Sequence, residues 1–231
     1  MRAAVYAAPA PGGALHRLAS LWLGRDAATG EPTRPPDPAR DALVAEPARY
    51  GFHATLRAPF RPRDGVTLDG LSAHLAAFTA GRAAPVIGCL TLSRLGDFFA
   101  LAPSGPEPGI AALEGAVLDA FEPFRAALTP AEVARRRPER LSPRQRALLD
   151  RYGYPYVRDE FRYHMTLTGP VPGPAEAVRR ALEAHFAEVL DRPWPVDGLA
   201  LFVEPEAGAP FRVHAFHPFG PAAAPPPGAS A

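Results

Sequence analysis

The chain has 231 residues, 47% of them apolar, and a formal net charge of +1. That length can bury a sizeable core, as one large domain or two small lobes. The near-neutral balance speaks against a protein that tracks a long nucleic-acid backbone, and the single cysteine, Cys89, rules out an intramolecular disulfide and a cysteine-based zinc site.

There is no lysine, so all 25 basic residues are arginine. A biased coding sequence explains a total replacement, although arginine is also the better fork for phosphate. No apolar run approaches the length of a membrane span. The N-terminal apolar stretch is broken by Pro9 and Pro11, too soon for a signal peptide. The expected location is the cytoplasm, away from membranes.

In chain order, Ala3–Ala7 reads as a strand ended by Pro9, Pro11 and Gly12-Gly13. Leu15, Leu18, Ala19, Trp22 and Leu23 have helical spacing, with Gly24 placed to cap the C-terminus. Residues 25–49 are Pro-rich and read mostly as loop. Gly51–Phe60 reads as a strand and Leu68–Ala80 as a helix. Val86–Arg94 and Phe98–Ala102 form a hairpin turning at Gly96-Asp97. Ile110–Leu128 reads as a helix. Thr129-Pro130-Ala131-Glu132 and Ser142-Pro143-Arg144-Gln145 each spell a capping box. The run Arg135-Arg136-Arg137 on the first of these short helices reads as a solvated face, with an anion-facing patch as the sharper alternative. Arg162–Pro170 reads as a strand and Ala175–Leu190 as a helix. Leu199–Val203 and Phe211–Phe216 read as strands, and residues 221–231 as a disordered Pro/Ala-rich tail.

The two halves repeat. When His53 is aligned with His164, Phe52-His53-Ala54-Thr55-Leu56 faces Tyr163-His164-Met165-Thr166-Leu167. The helices and hairpins that follow fall in the same order. The expected fold is α+β: a bilobal, internally duplicated domain over residues 1–220, with lobes near 1–128 and 129–220. Each lobe would hold a mostly antiparallel sheet, the two sheets flanking a central cleft with helices outside.

Side chains alternate along a strand, so residues two apart share a face. One polar face then carries His53, Thr55 and Arg57; the other carries Arg162, His164, Thr166 and Thr168. Tyr50 and Tyr163 have the opposite parity and read as core. A lone histidine on a strand is usually structural, which covers His16, His74, His185, His214 and His217. Two His-x-Thr units at matching positions are a different matter. Imidazole titrates near neutrality, so one His can act as base while the other acts as acid. The two Thr hydroxyls can donate to phosphoryl oxygens. Such chemistry needs no metal or cofactor, and two His without a convergent carboxylate make a poor zinc site.

These motifs resemble the two-histidine (2H) phosphoesterase superfamily, which is defined by paired His-x-Thr/Ser motifs on a duplicated bilobal fold. Residues 49–56 and 161–169, with Trp22-Leu23-Gly24-Arg25-Asp26, are similar to its branch associated with bacterial phosphonate metabolism. The resemblance implies catalytic roles for His53 and His164 and phosphate binding by Thr55 and Thr166. It implies a metal-independent hydrolase acting on a small cyclic phosphodiester, such as a ribose cyclic phosphate. Arg57, Thr168 and Arg162 are accessory candidates; Arg57 would hold a second phosphate or lie on the surface. The expected partner is a small phosphorylated substrate. The alternatives are an RNA-end 2′,3′-cyclic or 2′-5′ phosphodiesterase or ligase, and a phosphate-binding module without chemistry. Both motifs are intact, which favours an enzyme.

Overall fold

The chain forms eight strands: Arg2–Ala8 (β1), Ala54–Phe60 (β2), Val86–Leu95 (β3), Phe98–Pro103 (β4), Met165–Thr166 (β5), Arg192–Pro195 (β6), Gly198–Glu204 (β7) and Arg212–Pro218 (β8); β1 and β7, at the centre of one half of the sheet, are apolar almost throughout. In the computed structural model, which describes residues 1–220, they form one sheet in the order β6-β3-β4-β5-β2-β1-β7-β8. Every neighbouring pair of strands is antiparallel. The tail at 221–231 lies outside the described residues.

Seven helices complete the fold: Ala14–Leu23 (α1), Pro38–Tyr50 (α2), Leu68–Ala80 (α3), Pro108–Phe121 (α4), Pro130–Arg135 (α5), Pro143–Tyr152 (α6) and Glu176–Phe186 (α7). One face of the sheet supplies Val5, Ala54, Leu56, Leu101, Met165 and Leu201 to the main core. Leu15 and Trp22 of α1, Leu71 and Leu75 of α3, Val117 and Phe121 of α4, and Leu182 and Phe186 of α7 pack onto it. On the opposite face Ala4, Tyr6, Ala200 and Phe202 join Ala27 and Phe211 in a smaller cluster. A third, formed by Leu118, Leu148, Tyr152 and Val157, ties α6 to α4.

The expected pair of sheets is not found; a single sheet takes strands from both halves of the sequence. The hairpins pair across the expected lobe boundary. The β3–β4 hairpin follows the first motif but pairs with β5, the strand of the second. The β7–β8 hairpin follows the second motif but pairs with β1, which lies beside β2. Strands from both halves of the chain are therefore woven into one sheet.

The stretch read as loop at 25–49 contains α2. Asp37 caps it by accepting a hydrogen bond from the Arg40 amide, and Pro38 stands in its first turn, where its missing N–H costs nothing. Both expected capping boxes form, at Thr129 with Glu132 and at Ser142 with Gln145.

Candidate active site

β2 and β5 lie side by side at the middle of the sheet, with Ala54 opposite Met165. Extended by one residue each way, that register sets His53 opposite Thr166 and Thr55 opposite His164. The two histidines are then diagonal neighbours on one face, and such positions lie roughly 7–8 Å apart. β4 continues the floor, with Ala100 opposite Thr166. A small side chain there leaves the face open.

The two imidazoles are held in the same way. His53 Nδ1 lies 2.8 Å from the Gly51 carbonyl oxygen, and His164 Nδ1 lies 2.8 Å from that of Arg162. A carbonyl only accepts, so each Nδ1 carries the proton and each Nε2 keeps a lone pair in the neutral ring. His53 Nε2 is 3.2 Å from the Thr55 hydroxyl, which donates to it. The carbonyl two residues upstream thus sets each tautomer.

Their surroundings differ. Tyr6, which pairs with Thr55 across β1 and β2, stacks on His53 with ring centroids 3.7 Å apart and planes 17° from parallel. Phe202 and Tyr50 close around the same ring, with centroids at 5.9 and 6.4 Å. Burial in this box pushes the His53 pKa down to about 4; the Gly51 carbonyl opposes the shift and the nearby His164 charge adds to it. His164 meets one ring, Phe98, at 5.9 Å.

A groove of about 220 Å³ runs over this floor. His53, Thr55 and Thr166 line it with Tyr6, Tyr50 and Arg136; His164 is not among its lining residues. Tyr50 is brought in by Gly51, whose φ of +77° turns the chain between α2 and β2. A Cβ at Gly51 would stand 2.5 Å from the Ala27 Cβ, so a side chain fits neither the turn nor the space. Strand parity therefore does not reach back to Tyr50, which packs partly buried against the smaller cluster, stacked on Phe211, and also lines the groove. Tyr163, by contrast, is buried in the main core.

The accessory residues separate. Arg57 is 1% exposed, so it is not a surface arginine. Its Nη2 pairs with Glu122 at 2.7 Å and its Nη1 donates to the Tyr152 carbonyl at 2.9 Å, while its buried Nε has no partner. Burial lowers its pKa to about 10 against the pull of Glu122. Thr168 is buried and accepts a hydrogen bond from the Phe99 amide at 3.0 Å, a structural task. Arg162 is exposed and lines a separate cavity beside Ser93 and Leu95. Tyr6 and Arg136 join the groove from elsewhere in the chain, and no local pattern announces either. The other histidines behave structurally where a partner is seen: His185 binds the Leu18 carbonyl at 2.8 Å, and His217 meets Ser72 at 3.0 Å.

Among the described residues no group of three or more His, Cys, Asp or Glu side chains is placed to hold a metal ion. No helix of the described residues is long and apolar enough to cross a membrane.

A family described as a protein of unknown function, DUF1045, matches residues 55–212. Among curated proteins, a ribose 1,5-bisphosphate phosphokinase PhnN of Laribacter hongkongensis is 43% identical over 219 residues, covering 92% of this chain and 50% of that protein. One of the same name from Janthinobacterium sp. is 38% identical over 222 residues, covering 91% of this chain and 49% of that protein. The chain thus spans about half the length of the curated relatives it matches. Their names overturn the expectation of a cyclic-phosphodiester hydrolase: both are named for a phosphokinase, and neither for hydrolysis. A chain without lysine also lacks the lysine-bearing, glycine-rich loop with which many kinases cradle a nucleotide's phosphates.

Proposed function

The chain belongs to the DUF1045 family, and from that premise we propose that the groove is a phosphoryl-transfer site for a phosphorylated ribose. The observation that carries this reading is the register of β2 on β5, which sets two His-x-Thr units on one face with their imidazoles on a diagonal. That pairing also supports kinship with the 2H superfamily. The names of the relatives supply the substrate class, a ribose phosphate, in keeping with a place in phosphonate metabolism.

A phosphorus atom seated between the motifs has Thr166, and Thr55 once its hydroxyl turns away from His53 Nε2, within reach as donors to its non-bridging oxygens. His53, kept neutral by its aromatic box, takes the proton of an acceptor hydroxyl. The acceptor oxygen bonds to phosphorus, the bond to the leaving oxygen breaks, and protonated His164 supplies that oxygen's proton. The two side chains end with their protonation states exchanged, ready for the reverse step.

The test is phosphorus NMR of the purified chain with ribose 5-phosphate or ribose 1,5-bisphosphate, with and without ATP as phosphoryl donor. The reading expects turnover at a ribose phosphate, reduced about a hundred-fold or more in His53→Ala and in His164→Ala. Full turnover in either variant, or a wild-type protein that ignores every ribose phosphate, overturns it.

A further inference from the structure

Beside the groove lies a larger chamber of about 530 Å³. The two share a wall made of Arg2, Tyr50, Ala58, Pro59, Arg136 and Tyr154, so they are compartments of one depression. The chamber is lined by seven of the chain's arginines, among them Arg57, Arg135 and Arg136. Three carboxylates answer five of these. Glu204 takes Arg2 and Arg49, Glu122 takes Arg57 and Arg125, and Glu132 takes Arg61. Arg135 and Arg136 have no carboxylate partner among the described residues. Cation excess is therefore concentrated here in a protein whose whole charge is only +1.

We propose that this chamber is a second phosphate subsite, so that the substrate carries a phosphate there in addition to the one between the histidines. The inference rests on the phosphoryl-transfer reading of the groove. Arg136 is the pivotal residue. It lines both compartments, and its guanidinium lies over the Tyr154 ring at 5.0 Å, which orients it while leaving its N–H groups unspent. A planar guanidinium fork matches a phosphate monoester's oxygens better than any neutral ligand. Arg57 lines the chamber from β2, buried and with its Nε unpartnered. The parity expected from the sequence does not carry from Thr55 to Arg57, because a bulge between them pairs Thr55 with Tyr6 and Arg57 with Val5 of the main core. The wall that the two compartments share keeps them adjacent, which suits two phosphates on one small sugar. A long nucleic-acid backbone would need a strong basic excess, and the whole chain carries a net charge of only +1.

Calorimetric titration of the whole chain with ribose 5-phosphate, ribose 1,5-bisphosphate and ATP tests the subsite. The bisphosphate is expected to bind about ten- to a hundred-fold more tightly than the monophosphate. Arg136→Gln should abolish that advantage, and Arg136→Lys should restore part of it. Equal affinities in the wild type, or an advantage that survives Arg136→Gln, overturns the proposal. So does ATP binding that exceeds the bisphosphate and requires Arg136, since the chamber would then serve a nucleotide polyphosphate. A second measurement separates this proposal from the reading of the groove. Inorganic phosphate should shift the Arg136 Nε–H resonance in wild type and in His53→Ala alike. A resonance that does not move overturns the subsite whatever the sugars do. A resonance that moves while no ribose phosphate binds supports the chamber and refutes the ribose reading.

Discussion

His53 is a histidine prevented from charging. Tyr6 is 1% exposed and covers one face of its ring, so protonation would place a cation that reaches water only on the groove side. With the pKa near 4, the acid limb of a kcat/KM profile that needs neutral His53 should fall near pH 4; a limb near 6.5 would refute the assignment of His53 as base. The same shift bears on stability. The folded value lies below the ordinary 6.5, so the unfolded chain binds the extra proton first. Stability is full above about pH 6.5 and falls as pH drops towards 4. In urea titrations His53→Gln should lose less stability than wild type across that window. Because the two imidazoles would act on one proton inventory, the double variant His53→Ala/His164→Ala should turn over little more slowly than either single one. Multiplying losses would show independent roles. His53, Thr55, His164 and Thr166 were legible as a group because period-two alternation predicts one shared face for each His and its Thr; the sheet pairs Ala54 with Met165 between them, and the groove takes in His53, Thr55 and Thr166. Tyr6 and Arg136 were not legible, because each reaches the groove through tertiary packing alone.

At the scale of elements, α2 and β5 show where local pattern fails. The segment before β2 is rich in proline, which suggested loop, yet Asp37 and Pro38 form a sound helix start and Pro47 is accommodated within the helix. Asp37→Ala removes the cap and should cost about 1 kcal/mol in chemical denaturation. No loss would mean that packing at Val44 alone holds α2. Gly51→Ala should cost more, since it meets both an unfavourable φ and the Ala27 Cβ. The helices α1 and α6 were legible because Gly24 and Ser142 stand in capping positions, and α3 because its apolar residues recur with helical spacing. The second motif strand was read as nine residues, and the sheet uses two. A pattern of alternating side chains does not say how many residues find a ladder partner. β6 was missed for the converse reason: Arg192-Pro193-Trp194-Pro195 lacks alternation and joins the sheet only as an edge strand, where proline is tolerated.

At the scale of the molecule, β5 is the seam. On one side stand β6, β3 and β4; on the other stand β2, β1, β7 and β8. The antiparallel strands and their order along the chain were legible, but the single sheet was not, because strand order in space depends on pairings far apart in the chain. Residues 1–128 and 129–220 expressed separately should each fail to give dispersed amide spectra, since each would leave paired strand edges bare. Two independently folded fragments would refute the woven description. Mixing the fragments should restore the spectrum if the interleaving is as seen. The groove itself is nearly even-handed: each motif offers an imidazole tethered to the carbonyl two residues upstream and a hydroxyl two residues on. The surroundings are lopsided, for the arginine-lined depression and the Tyr6 ring both lie on the His53 side. A phosphate held there would therefore meet two similar jaws in an asymmetric vestibule. Which of its non-bridging oxygens faces which jaw is then dictated by the walls, so transfer from a phosphate made chiral with three oxygen isotopes should give one configuration at phosphorus; a racemic product would show that the walls do not hold it.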